Sequence, residues 1–189
     1  MDYLTYINSH AIPKLKKLMM TEAEKYLELL SISKSDCLLK EGSVCNYYYF
    51  VEEGILRNFY TKKGIEVTTG FTFPNDVATN FRSSLLKKES DETIQAVVDS
   101  KVYRMSIQDF EMIKDKYPEL REIRETLTSA YVLLLEERLH SIQFCTAAER
   151  YRFLLENNSY ILKQIPLTYI ASYLGVTLET LSRIRANAR

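Results

Sequence analysis

The chain has 189 residues, no net formal charge, 46% hydrophobic residues and 26% charged ones. That composition suits a globular protein with one core or two small domains in series, and excludes a disordered or fibrous chain. The longest apolar runs are far too short to span a bilayer, and Met1-Asp2-Tyr3 does not begin a basic-then-apolar signal peptide, so a cytoplasmic protein without membrane contact is expected. Charge is unevenly placed. Residues 141–189 hold Arg150, Arg152, Lys163, Arg183, Arg185 and Arg189 against Glu149, Glu156 and Glu179, which makes that segment +3 and the remainder −3. Such asymmetry points to a small module that meets phosphate, joined to one that does not.

In chain order, Leu15, Leu18 and Met19, then Tyr26, Leu27 and Leu30, repeat at helical spacing within residues 1–34. From residue 36 to 106 the texture changes to short runs rich in β-branched and aromatic residues, with Gly42, Gly54, Gly64 and Gly70 among them. Residues 47–51, 55–60, 66–71, 93–98 and 101–105 read as strands of an antiparallel roll or barrel, with a short helix expected within 77–86. Residues 107–116 form a predicted helix capped by Ser106 and closed by Pro118. A long helix follows over 119–142, with apolar Leu120, Ile123, Leu127, Ala130, Leu134 and Ile142 near three- and four-residue spacing. That stripe needs a cover, for which a second copy of the chain is the economical choice and its own barrel the alternative. Dimerisation through Ile123, Leu127, Ala130 and Leu134 is the expectation. Residues 146–158 are a further helix, with Thr146 and Glu149 spaced as a capping box.

Cys37, Cys45 and Cys145 show no ligand spacing, and His10 and His140 lie apart from them, so no metal site is expected. Nor is there a nucleophile–base set, a motif-spaced carboxylate pair or a phosphate loop, which argues against an enzyme.

Residues 166–186 carry the most specific pattern. Two helices crossing around a tight turn need a small residue inside the first, here Ala171, and a residue tolerant of positive φ between them, here Gly175. Ile170, Leu174, Leu181 and Ile184 supply the inward apolar positions, Pro166 suits the first turn, and Thr177 with Glu179 suits the start of the second helix. The unit is a helix-turn-helix, and double-stranded DNA is the expected partner. Its second helix presents Leu178, Glu179, Ser182 and Arg183. Arginine can donate twice to a guanine edge and glutamate can accept from cytosine, although Glu179 could equally hold Arg183 in place. Arg185 and Arg189 are expected at phosphates.

With these residues in view, the chain resembles the CRP/FNR superfamily of transcription factors. The similarity runs through KEG at 40–42, YYFVEEG at 48–54, Gly64, Ala148-Glu149-Arg150 and IASYLGVTLETLSRI at 170–184. The resemblance implies an α+β protein: an antiparallel β-roll sensor domain over 1–118, a dimerisation helix over 119–142 and a helix-turn-helix domain over 143–189. It implies a homodimer reading an inverted repeat, with Glu179 and Arg183 at the base-reading positions and Leu178 where arginine is common. RNA polymerase is a partner the resemblance leaves open. The effector pocket maps to Asp76, Asn80, Arg82, Ser90, Asp91 and Thr93. Aligned at Asp76, Asn80 replaces the ribose-binding glutamate of cyclic-AMP-binding members, and Ser90-Asp91 replaces their phosphate-binding Arg-Ser pair. Leu135-Glu136 replaces the purine-contacting pair. Cyclic AMP is therefore not expected as the effector, nor an iron–sulfur cluster or haem, and the small-molecule effector is unidentified. The flanking β-wing would have to be short and lie around 160–164. The alternative is a small-molecule sensor or interaction protein whose helix-turn-helix no longer binds DNA.

Overall fold

The computed structural model describes residues 13–15, 17–18, 20–157 and 161–187. Eight strands, β1 (Glu28–Ile32), β2 (Cys37–Leu39), β3 (Tyr47–Glu53), β4 (Leu56–Lys62), β5 (Ile65–Thr72), β6 (Val77–Ala78), β7 (Thr93–Ala96) and β8 (Ser100–Ser106), build two antiparallel sheets. Their orders are β1-β8-β3-β6 and β2-β7-β4-β5. Tyr49, Val51, Leu56, Ile94 and Val102 fill the space between them. The β4–β5 hairpin turns at Lys63-Gly64, both with positive φ (52° and 77°), the backbone handedness that matches strand twist in a two-residue loop. Gly54, at φ 96°, starts the turn into β4, and a Cβ there would lie 2.0 Å from Ser100 Oγ. That hydroxyl is needed where it is, since it accepts the Ile55 N–H and donates to the Val98 carbonyl.

The helical reading of the N-terminal segment holds only in part. Leu15 and Leu18 are helical and buried, and Met19 lies outside the described residues. Tyr26 closes a 3-10 turn (Glu22–Tyr26), whereas Leu30 belongs to β1. β1 pairs with β8 along its whole length, so a long-range ladder overrides a local helical spacing. Within 77–86, β6 comes first and a helix follows, α1 (Phe81–Leu86), capped by Asn80 Oδ1 on the Ser83 N–H.

The remaining helices are α2 (Ile107–Ile113), α3 (Pro118–Phe144), α4 (Ala147–Asn157), α5 (Ile161–Gln164), α6 (Leu167–Leu174) and α7 (Leu178–Asn187). Ser106 caps α2 through the Asp109 N–H. Thr146 and Glu149 form the capping box of α4, each accepting the other's backbone N–H, and those bonds hold the Glu149 carboxyl below its ordinary range. Pro118 opens α3 at a position where its missing N–H costs nothing.

The stripe assigned to dimerisation is largely used inside the protomer. Leu120, Ile123, Leu127 and Ala130 are buried against Leu15, Leu18, Tyr48, Phe50, Met105 and Phe110, and Leu134 is half-buried. Of the two possible covers, the β-roll takes this face. The exposed apolar face of α3 has a different phase: Val132, Leu135, Leu139 and Ile142 are each about half exposed or more. The expected wing is also absent where it was placed, because residues 161–164 are the short helix α5 and Tyr160 lies outside the described residues.

Candidate nucleic-acid interface and ligand cavity

Helix α6 ends as its sequence requires. Gly175 adopts φ 69° and ψ 34°, its N–H bonds the Ser172 carbonyl, and the Val176 N–H bonds the Ala171 carbonyl, which is a Schellman closure. No atom lies within 4 Å of a Cβ built on Gly175, so glycine is needed for backbone handedness, not for space. The last two carbonyls of α6 receive cationic donors from elsewhere: Arg138 of α3 bonds the Tyr173 carbonyl at 2.6 Å and Arg150 of α4 bonds that of Leu174 at 3.0 Å. Thr177 caps α7 by accepting the Thr180 N–H at 3.1 Å. Ile170, Ala171, Leu174 and Leu181 are buried together, and Ile184 packs on them half-buried. With that face inward, Leu178, Glu179, Ser182 and Arg183 are exposed on α7 and Arg185 is half-buried. Glu179 and Arg183 form no ion pair among the described residues, so neither is held by the other. Arg189 lies outside the described residues.

A cavity of about 1000 Å³ opens between the β-roll, α3 and the helical C-terminal part. Phe71, Phe73, Leu127, Tyr131, Leu134 and Tyr173 give it apolar walls, and Asp76, Asn80, Asp91 and Glu92 give it a polar end. Asp76 is buried, and among the described residues its carboxylate accepts a hydrogen bond only from the Val77 N–H. Burial pushes its carboxyl up to about 7, and that one hydrogen bond only partly opposes the shift. Glu92 is held from three sides: Thr69 Oγ1 donates at 2.6 Å, Asn80 Nδ2 at 3.1 Å and Asn58 Nδ2 at 3.4 Å. Tyr131, opposite, has its phenol pushed up by burial and by the negative charges of Glu92 and Asp91.

A comparison with protein families matches residues 29–117 to the cyclic nucleotide-binding domain. The chain is 26% identical over 165 residues to the anaerobic regulatory protein of Haemophilus influenzae, across 81% of this chain and 63% of that one. It thus spans less than two thirds of that relative's length. Among solved structures, FixK2 from Bradyrhizobium japonicum superposes with a TM-score of 0.71 at 21% identity, over 85% of this chain and 83% of that one. A CRP/FNR-family regulator from Eubacterium rectale gives 0.64 at 20% identity, over 89% and 79%. Residues 29–117 thus match a cyclic nucleotide-binding domain, and the chain shares the fold of these regulators.

In this CRP/FNR fold the residues mapped to the effector pocket divide. Asp76, Asn80, Arg82 and Asp91 line the cavity, but Arg82 is tied to Asp91 in an exposed ion pair at 3.1 Å. Ser90 and Thr93 do not line it. The Ser90 hydroxyl folds back onto the N–H and carbonyl of Glu92, and Thr93 Oγ1 accepts the Glu41 N–H. Ser90 thus closes a local turn, and Thr93 ties β7 to the segment after β2. Glu92 was missed by sequence reasoning because a gap-free alignment put the phosphate-binding pair at Ser90-Asp91 and passed over Glu92 to Thr93. Its neighbour Thr93 begins a strand whose pairing turns Glu92 toward Asn58, Thr69 and Asn80. Leu135 borders the cavity, while Glu136 is exposed. Among the described residues there is no cluster of three metal-ligating side chains, and no helix is long and apolar enough to cross a membrane.

Proposed function

We propose that the chain is a DNA-binding transcriptional regulator that acts as a homodimer on an inverted-repeat operator. The observation that carries this is α7: a capped helix at the crossing of a helix-turn-helix, with its apolar face buried and Glu179, Ser182 and Arg183 free on the outside. Such a helix enters a major groove end-on, and a two-fold pair reads half-sites about 34 Å apart. Val132, Leu135, Leu139 and Ile142, at alternating three- and four-residue steps, are the pattern by which α3 pairs with a copy of itself. On this reading dimerisation uses these residues, not Ile123, Leu127 and Ala130.

The effector is not a cyclic nucleotide. The polar end of the cavity already holds the chain's own carboxylate, Glu92, on three donors, and Arg82, which lines the cavity with Asp91, is paired to that aspartate. A phosphate brought within about 4 Å of Glu92 would meet repulsion of several kcal/mol in a partly desolvated site. Calorimetric titration with cyclic AMP is expected to give no binding heat, and micromolar binding would contradict this assignment. For the DNA contact, Arg183→Ala should lose roughly 1–3 kcal/mol on a preferred site and relax discrimination at one base pair. Equal losses on specific and random duplexes would reduce Arg183 to a phosphate contact.

A further inference from the structure

We infer that the cavity between the β-roll and α3 binds an organic cation: a primary ammonium on an apolar aromatic or alkyl body, drawn to the end formed by Asp76 and Glu92. The inference rests on the reading above that the effector is not a cyclic nucleotide, and names the chemistry that would take its place. The first observation is an unpartnered acceptor. Asp76 is 5% exposed and lines the cavity. Its backbone N–H and carbonyl are both bonded within the roll, to Phe73 and Val51, so the carboxylate is the part that meets the cavity. Oδ1 accepts the Val77 N–H at 2.7 Å, and Oδ2 has no partner among the described residues. A buried carboxylate oxygen without a donor is costly, and an N–H arriving from the cavity removes that cost.

The second observation is the sign of the charge. Glu92 is held by Thr69, Asn80 and Asn58, all neutral donors, so its charge is oriented but not cancelled. Arg82 and Asp91 offset each other on the solvent side, with side chains 75% and 62% exposed. Arg138 and Arg150 also line the cavity but are committed to the carbonyls of Tyr173 and Leu174. Asp76 and Glu92 thus leave the inner end anionic. The third observation is the wall. Phe81 and Tyr131 stack with centroids 4.4 Å apart and both line the cavity, and the Tyr131 phenol feels the negative charges of Glu92 and Asp91. Aromatic rings beside carboxylates are a setting that favours a cation. Apolar walls cannot replace the hydration of an inorganic ion, and about 1000 Å³ suits an organic molecule of drug size. A primary ammonium brings three donors, which suit Asp76 Oδ2 and Glu92 Oε1, the latter accepting only from Thr69 among the described residues.

The test is calorimetric titration of the full chain at pH 8, where the Asp76 carboxyl, pushed up to about 7, is ionised. Three compounds with one phenyl body differ only in the head group: phenethylamine, phenethyl alcohol and hydrocinnamate. Phenethylamine should bind, the alcohol roughly tenfold more weakly, and hydrocinnamate without detectable heat. Glu92→Gln and Asp76→Asn should each weaken phenethylamine by roughly tenfold or more, as loss of a charge-assisted hydrogen bond requires, and leave the alcohol unchanged. Equal affinity for amine and alcohol, tighter binding of hydrocinnamate, or silence from all three would overturn the inference. So would an amine affinity that both folded variants leave intact. If either variant fails to fold, the three compounds on the native chain still decide. Binding of cyclic AMP in a parallel titration would instead remove the reading on which the inference rests, whereas silence from both cyclic AMP and the amine removes the inference alone.

Discussion

Asp76 is a carboxyl that the fold keeps from ionising easily. Its backbone joins β3 to the turn before β6, its N–H bonding the Phe73 carbonyl and its carbonyl receiving the Val51 N–H, so the side chain cannot retreat to water without loosening the roll. An unfolded aspartate titrates near 3.9, whereas burial moves this one to about 7. Between those values the folded state binds more protons than the unfolded one, so stability falls as pH rises through the window. The loss is at most about 4 kcal/mol once both pKa values are passed. Asp76→Asn keeps an oxygen for the Val77 N–H and removes the titration. Denaturant melts from pH 4 to 8 should show the wild type losing stability relative to the variant; parallel curves would contradict the burial argument.

Helix α3 carries two apolar stripes with different destinations. Ile123, Leu127 and Ala130 pack on the roll, and Val132, Leu135, Leu139 and Ile142 face outward. Ile123→Ala should therefore cost about 2–5 kcal/mol of protomer stability, while Leu139→Asp should leave the melt nearly unchanged and convert dimer to monomer by sedimentation equilibrium. A monomeric wild type, or a dimer insensitive to Leu139→Asp, would remove this pairing face. The same helix shows where sequence reading stops. Its extent was legible from the stretch without glycine or proline that follows Pro118, but not the owner of each stripe, because a three- and four-residue spacing fits a roll and a second helix equally. Leu30 misled for a related reason: its spacing was helical, and the β8 ladder that decides its conformation lies about 70 residues away.

At the scale of the whole molecule, the strand rhythm of the roll and the helix-turn-helix were legible because each follows local rules: alternation, turn glycines, caps and one small buried alanine. The contact of α6 with β5 was not legible. Arg57 and Tyr169 are far apart in sequence, each unremarkable there, and only the docking of α6 on β5 brings them into stacking distance. Glu92 was hidden in the same way, since its meaning comes from Asn58, Thr69 and Asn80 on three other segments. A cavity of ligand size and the exposed face of α7, to which DNA reading is proposed, are thus joined through the packing of α6 on β5. The most direct test of the proposed function is selection of bound sequences from a random duplex pool by the purified chain. An inverted repeat with half-sites about one helical turn apart is the expected result; no enrichment, or a motif without two-fold symmetry, would contradict it.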